Sequence, residues 1–155
     1  MRTPLTLLTI LAIASTFTSQ TSATAPGGAP SSTARQAVAA SKPRTFLSPS
    51  GVRMRVLADE SDVRGSEVEI VELVFPANSD SGDHRHAVTE TFYVLEGKME
   101  QVINGTPVVL TTGTSATIRS TDQVRHKSGP DGARVLVVWA PGGEIARVTA
   151  RWKAQ

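Results

Sequence analysis

From Phe46 onward, apolar and polar residues alternate in steps of two, in short runs cut by turn residues. Val52-Arg53-Met54-Arg55-Val56 is the plainest such run, and a period of two is what a half-buried strand requires. Val68–Phe75 is rich in β-branched residues and stops at Pro76. Val88–Leu95 closes at Glu96-Gly97, and Lys98–Ile103 ends at Asn104-Gly105, the strongest short hairpin signal. Pro107–Leu110 returns, Thr112-Gly113 turns again, and Ala116–Ile118 and Val124–Lys127 read as short strands. Gly129-Pro130-Asp131-Gly132 reads as a further turn. Ala133–Trp139 is almost continuously apolar and is expected to be buried on both faces. Ile145–Trp152 reads as a last, weaker strand. No stretch between 46 and 150 repeats its apolar residues at helical spacing over helix length. Roughly eight to ten short strands with frequent turns make an all-β sandwich or barrel.

The segment before Phe46 has a different character. Arg2 is followed by a largely apolar run, Leu5–Ala14, and then by Ser and Thr. That run is too short to cross a hydrocarbon core, which takes about 20 helical residues. It has the form of a secretory signal peptide, with cleavage expected after Ala23 or Ala25, and Pro26 favours the first. Residues 1–23 are therefore expected to be a signal peptide, and the protein to be secreted or periplasmic with no stable membrane anchor. Residues 24–45 are mostly Ala, Thr, Ser, Pro and Gly with Val38 as the one bulky apolar side chain, so a disordered linker is expected there. The folded domain is expected over 46–155.

Composition removes several functions. There is no cysteine, which excludes a disulfide scaffold, a thiolate zinc site, an iron–sulfur cluster, a cysteine nucleophile and a lipoprotein anchor. The net charge of +2 and pI near 9.4 suggest a nucleic-acid partner, but the distribution argues against one. All 14 acidic residues follow residue 46, so that 46–155 holds twelve Lys and Arg against fourteen Asp and Glu. A duplex-binding surface needs clustered Lys and Arg, and the domain has no such run. There is also no GxSxG, P-loop or Gly-rich dinucleotide fingerprint.

The chemistry lies in three histidines, His84, His86 and His126, the only ones in the chain. Alternation places His84, His86, Val88, Glu90 and Phe92 on one strand face. Two imidazoles and a carboxylate then share one space. A lone strand histidine is more often packing or surface, but an inward carboxylate is costly without a partner, and a divalent ion offsets that cost. Imidazole suits Zn, Cu, Fe and Ni, and the carboxylate adds Mn. A third imidazole from a distant strand completes a 3-His/1-Glu site with one or two open positions.

His84-Arg85-His86, three residues, Glu90, six residues and Gly97 follow the pattern HxH-x3-E-x6-G, and Thr91-Phe92-Tyr93-Val94-Leu95-Glu96 fills it in the manner of the cupin superfamily. The chain resembles a small, secreted, single-domain cupin metalloprotein. A second, looser cupin motif places His126 at its ligand position, with Gly113 nearby, Thr121 for the usual Pro, Gln123 for Gly and Pro130 for Asn. Asn78 stands where the first motif begins with Gly, and Asn tolerates the left-handed conformation. The resemblance implies a cupin jelly-roll β-barrel with a divalent transition metal, Fe, Mn, Ni, Cu or Zn, held by His84, His86, Glu90 and His126. It also implies a homodimer, for which Val52–Val56 is the expected edge strand.

A divalent ion with one carboxylate leaves about +1 in the pocket, which favours a small anionic or enolisable organic ligand. The resemblance implies an oxygenase-type oxidoreductase, a dioxygenase; the same ligand set also serves Lewis-acid isomerases, cyclases and lyases, or a non-enzymatic cupin that binds a small molecule or the metal itself. Phe92 and Gln101 are the further candidates for pocket residues; Met99 and Ile103 share the face of Gln101 and are apolar. Trp139 is expected in the core, Tyr93 outside the pocket, and Arg125 and Lys127 in solvent.

Overall fold

The computed structural model describes residues 44–155. The expected signal peptide and residues 24–43 of the expected linker lie outside the described residues. The strands are β1 (Arg44–Leu47), β2 (Arg53–Ala58), β3 (Glu69–Phe75), β4 (Thr89–Ile103), β5 (Thr106–Thr111), β6 (Ser115–Ile118), β7 (Val124–Ala140) and β8 (Lys153–Ala154). Two short helices, α1 (Glu60–Val63) and α2 (Glu144–Thr149), interrupt them. The strands pair antiparallel in the order β5-β4-β7-β3-β2-β1-β8, with β6 beside β4. This is the expected all-β jelly-roll barrel.

The long strands β4 and β7 organise it. They pair with each other along their whole length, and each exchanges its outer neighbour midway. The first half of β4 pairs with β6 and the second half with β5, while the second half of β7 pairs with β3. The ladder between β4 and β7 slips at Val94/Glu96 and again at Gly97/Met99. Inward residues are Glu90, Phe92 and Val94 before the slip and Met99 and Gln101 after it. The core is filled from these faces and from Met54, Val71, Val135 and Val137.

Several expectations are corrected here. Glu96-Gly97 and Gly129–Gly132 are bends inside two long strands, whereas the sequence suggested a strand end and a turn. Gly97 and Gly132 both have positive φ, +79° and +75°, and sit back to back: a Cβ on Gly97 would lie 2.4 Å from the Gly132 carbonyl oxygen. Ile145–Trp152 is mainly helix α2, because Ile145, Val148 and Trp152 recur at three- and four-residue spacing. Ala133–Trp139 is fully buried on one face only; Leu136 and Val138 are half-buried. Val52–Val56 is not an edge, since β2 lies between β1 and β3. Arg44 and Thr45, assigned to the linker, pair with Val56 and Arg55 and belong to β1. The Asn104-Gly105 turn is as expected, with φ of 50° and 83°, and Asn78 is left-handed at 55°.

Candidate metal centre

Each histidine reaches the barrel interior by its own route. His84 precedes β4 and is bridged to the start of β7, its backbone N–H and C=O each bonding to Val124 at 2.9 Å. That bridge brings His84 beside His126, two residues along β7. His86 follows on the same face, and Glu90 lies one step inside β4. Their parity with Phe92 is as the alternation required.

The three Nε2 atoms converge. His84 lies 3.2 Å from His86 and 3.1 Å from His126, and His86 lies 3.5 Å from His126. Glu90 Oε2 is 3.0 Å from His86 Nε2 and 3.5 Å from His126 Nε2. Ligand bonds of about 2.0–2.1 Å around one ion set neighbouring donor atoms about 3.0–3.4 Å apart, so the spacing matches. The opposite ring nitrogens fix the tautomers. His84 Nδ1 faces Gly82 O at 3.0 Å, His86 Nδ1 faces Glu144 Oε1 at 2.8 Å, and His126 Nδ1 faces Gln101 Oε1. Each Nδ1 has an acceptor and therefore donates to it, which leaves each Nε2 lone pair aimed at the common point.

Glu90 completes the set. It is almost wholly buried, and its Oε1 accepts from Trp139 Nε1 at 2.8 Å. Its Oε2 is buried without an aligned hydrogen bond. A buried carboxylate oxygen in that state is costly, and it points where a cation would sit. The titration behaviour agrees. Burial lowers the His84 pKa, and it pushes His126 far below the usual histidine value, helped by the charge of its two neighbours. Burial also disfavours a charged His86, but Glu144 and Glu90 reverse this and raise it to about 9. The carboxylates thus draw positive charge to this point, as a proton on His86 or as an ion in its place. The residues fit a metal, and the three histidines form a group able to hold one.

Two supporting contacts are cross-strand pairs of the same ladder: Glu90 opposes Trp139, and Gln101 opposes His126. Gln101 is therefore behind His126 and not on the cavity wall, which corrects its placement as a pocket residue; its Nε2 is buried without a partner. Phe92 is on the wall, with its ring centroid 4.7 Å from that of His126. Trp139 is both core and site. Tyr93 is exposed, and Arg125 and Lys127 point outward to Asp80 and Glu100.

The residue that sequence reasoning missed is Glu144. It opens α2, is fully buried, and joins His86 to Arg147, whose Nε lies 2.9 and 3.0 Å from its two oxygens. Burial would raise its pKa, but His86 and Arg147 hold it down at about 2. The helical spacing after Gly143 could have revealed α2, but no local signal ties Glu144 to a histidine far earlier in the chain.

The three histidines and Glu90 face a cavity of about 400 Å³. Residues 71–140 match the cupin domain family. No curated protein matches the sequence. Among solved structures, the fold is similar to an RmlC-like cupin from Shewanella frigidimarina, with 21% identity, TM-score 0.56, and 64% of this chain and 86% of that one covered. It is similar also to a predicted oxalate decarboxylase from Thermotoga maritima, with 21% identity, TM-score 0.56, and 64% and 92% covered. A third is Bacillus subtilis oxalate decarboxylase, studied for its Mn(II) centres, with 16% identity and TM-score 0.57; 64% of this chain and 28% of that one are covered. The family match runs from β3 to β7, and the likeness to these solved structures shows a cupin-type fold.

Proposed function

We propose that this cupin-fold domain is a metal-dependent oxidoreductase of the oxygenase type, acting on a small organic molecule through an oxygen donor. The observation that carries the reading is the convergence of three Nε2 atoms and the buried Glu90 Oε2 at the end of a cavity. His84, His86, His126 and Glu90 would hold the ion. Bound there, it supplies a Lewis acid and, where redox-active, a centre at which dioxygen and an oxygen-donor substrate can react. The protein's own part is orientation and exclusion. Gly82, Glu144 and Gln101 fix the imidazole tautomers, Trp139 fixes Glu90, and Phe92 and Phe75 keep water from the protein side of the site. One carboxylate against a divalent ion leaves a positive pocket, which favours an anionic or enolisable group. Manganese is a natural candidate, since the Bacillus subtilis oxalate decarboxylase has Mn(II) centres, and Fe, Ni, Cu and Zn suit the same donors.

A second reading, a Lewis-acid isomerase or lyase or a non-enzymatic binder, draws on one observation. The ionisable groups lining the cavity beyond the ligands, Asp80, Arg85 and Arg147, are all engaged by protein partners. The test is elemental analysis of the chain purified without added metal, followed by oxygen-electrode assays on catecholic, flavonoid, diketone and dicarboxylate compounds. One ion per chain with substrate-dependent oxygen uptake supports the oxygenase. One ion without uptake moves the function to the second reading. A chain that is metal-free and cannot be loaded refutes the oxygenase and the Lewis-acid enzyme and leaves only a metal-free binder.

A further inference from the structure

The cavity in front of the ligands is chemically one-sided. Its polar end is the histidine cluster with Glu90; Val52, Leu73, Phe75 and Phe92 line it from the barrel, and Val148 and Trp152 from the C-terminal segment. The charged side chains around it are each held by a protein partner. Asp80 takes Arg125 through two bonds of 2.7 and 2.5 Å. Arg147 is held by Glu144 and by the Arg85 carbonyl at 2.7 Å, and Arg85 donates to the Thr121 carbonyl. Ser48 Oγ accepts from Val52 N at 2.8 Å, and Ser81 Oγ accepts from His126 N and donates to Gly82 O, both at 2.9 Å. A ligand therefore meets one polar end and a wall that is mostly apolar.

We infer that the site takes a molecule with a single oxygen-donor head, seated at the metal, and an apolar body of ring size or larger, such as an arylcarboxylate, phenolate or aryl enolate. The inference rests on the metal reading above for the head and on the wall for the body. A compact dianion such as oxalate would turn its second carboxylate toward a wall that is mostly apolar, where a charge without a partner is costly. The volume of about 400 Å³ falls in the range that holds ligands larger than oxalate. Val148 and Trp152 make the C-terminal segment part of the binding wall, and that segment also carries Glu144, the partner of His86.

The test uses the full chain loaded with its ion, and measures binding of 2-naphthoate, benzoate, acetate and oxalate by calorimetry. 2-Naphthoate should bind at least about 30-fold more tightly than acetate, as burial of aromatic surface implies. Trp152→Leu should remove most of that advantage, and the near-isosteric Val148→Thr about threefold of it. Acetate affinity and metal content should be unchanged in both variants. Acetate or oxalate binding as tightly as 2-naphthoate overturns the inference, as does indifference of 2-naphthoate to both substitutions. Elemental analysis separates the two readings: in a chain that takes up no metal, the head assignment fails with the metal site. Neutral 2-naphthol then tests the wall alone, and no saturable binding overturns that part as well.

Discussion

Replacing Glu144 should weaken the candidate metal site although Glu144 is not one of its four proposed ligands. Its carboxylate accepts from His86 Nδ1 at 2.8 Å and from Arg147 Nε at 2.9 and 3.0 Å, and the Ala87 N–H approaches at 3.3 Å. A hydrogen bond to a charged group contributes about 1.5–3 kcal/mol net, and a neutral one about 0.5–1.5. Glu144→Gln keeps an acceptor oxygen of the same shape but loses the charge. About 1–1.5 kcal/mol of the support for a Nδ1-protonated, Nε2-ligating His86 goes with it. At about 1.4 kcal/mol per factor of ten, metal affinity should fall about tenfold. Glu144→Ala removes the acceptor altogether and should approach the hundredfold end of the range for such partners. The assay is competition against a chromophoric chelator, with the folded fraction checked by circular dichroism. Arg147→Met leaves the bond between His86 and Glu144 in place and should move affinity by less than about threefold. A Glu144→Gln protein that binds its ion within twofold of the parent, while His126→Ala does not, would refute the reasoning.

Other outcomes follow from the same geometry. His86→Ala and His126→Ala should each lower metal content per chain strongly in elemental analysis, and Glu90→Gln should lower it as well, because the amide oxygen that accepts from Trp139 Nε1 leaves an NH2 group, which cannot ligate, in the place of Oε2. Asp80, paired with Arg125, has its pKa lowered from 3.8 to about 2, so it stabilises the fold above pH 3.8 and loses that contribution as pH falls toward 2. Arg125→Met should flatten the acid limb of a urea-midpoint series over that window, and an unchanged limb counts against the pair. N-terminal sequencing of protein exported by its native host should begin near residue 24 or 26; an intact Met1 on cytoplasmic protein counts against export.

Most of the candidate metal centre was legible because strand parity is a local rule. His84, His86 and Glu90 follow from counting by twos, and the cupin pattern pointed to His126. The supporting residues were not legible to the same degree. Gln101 stood out as a polar residue on an apolar face, yet only the β4–β7 register reveals that it backs His126 and does not line the cavity. Glu144 lies just before Ile145–Trp152, which reads as a strand in the sequence, and its partnership with His86 is set by the path of the C-terminal segment, which no local pattern encodes. The bends in β4 and β7 were misread for a related reason. Glycines that permit a close crossing of two backbones look, in one dimension, like glycines that end a strand.

That crossing carries a consequence for the site. Inward residues are even-numbered in β4 before Gly97 and odd-numbered after it, so the slip is what lets Glu90 and Gln101 face the same interior. Gly97→Ala should disturb it in two ways. The left-handed backbone of Gly97, φ +79°, costs an alanine about 1–2 kcal/mol. The new methyl would also lie 2.4 Å from the Gly132 carbonyl oxygen and 3.1 Å from Ala133 Cα, which are backbone atoms without a rotamer to give. Displacing them should add a further 1–3 kcal/mol, as overpacking typically does. Gly113 is the internal control: its φ is +86°, but nothing lies within 4 Å of its Cβ position, so Gly113→Ala should carry the conformational cost alone. Urea unfolding of the two variants measures the difference directly. A Gly97→Ala protein no less stable than Gly113→Ala would mean that the two strands do not cross so closely, and the shared inward face of Glu90 and Gln101 would need another explanation.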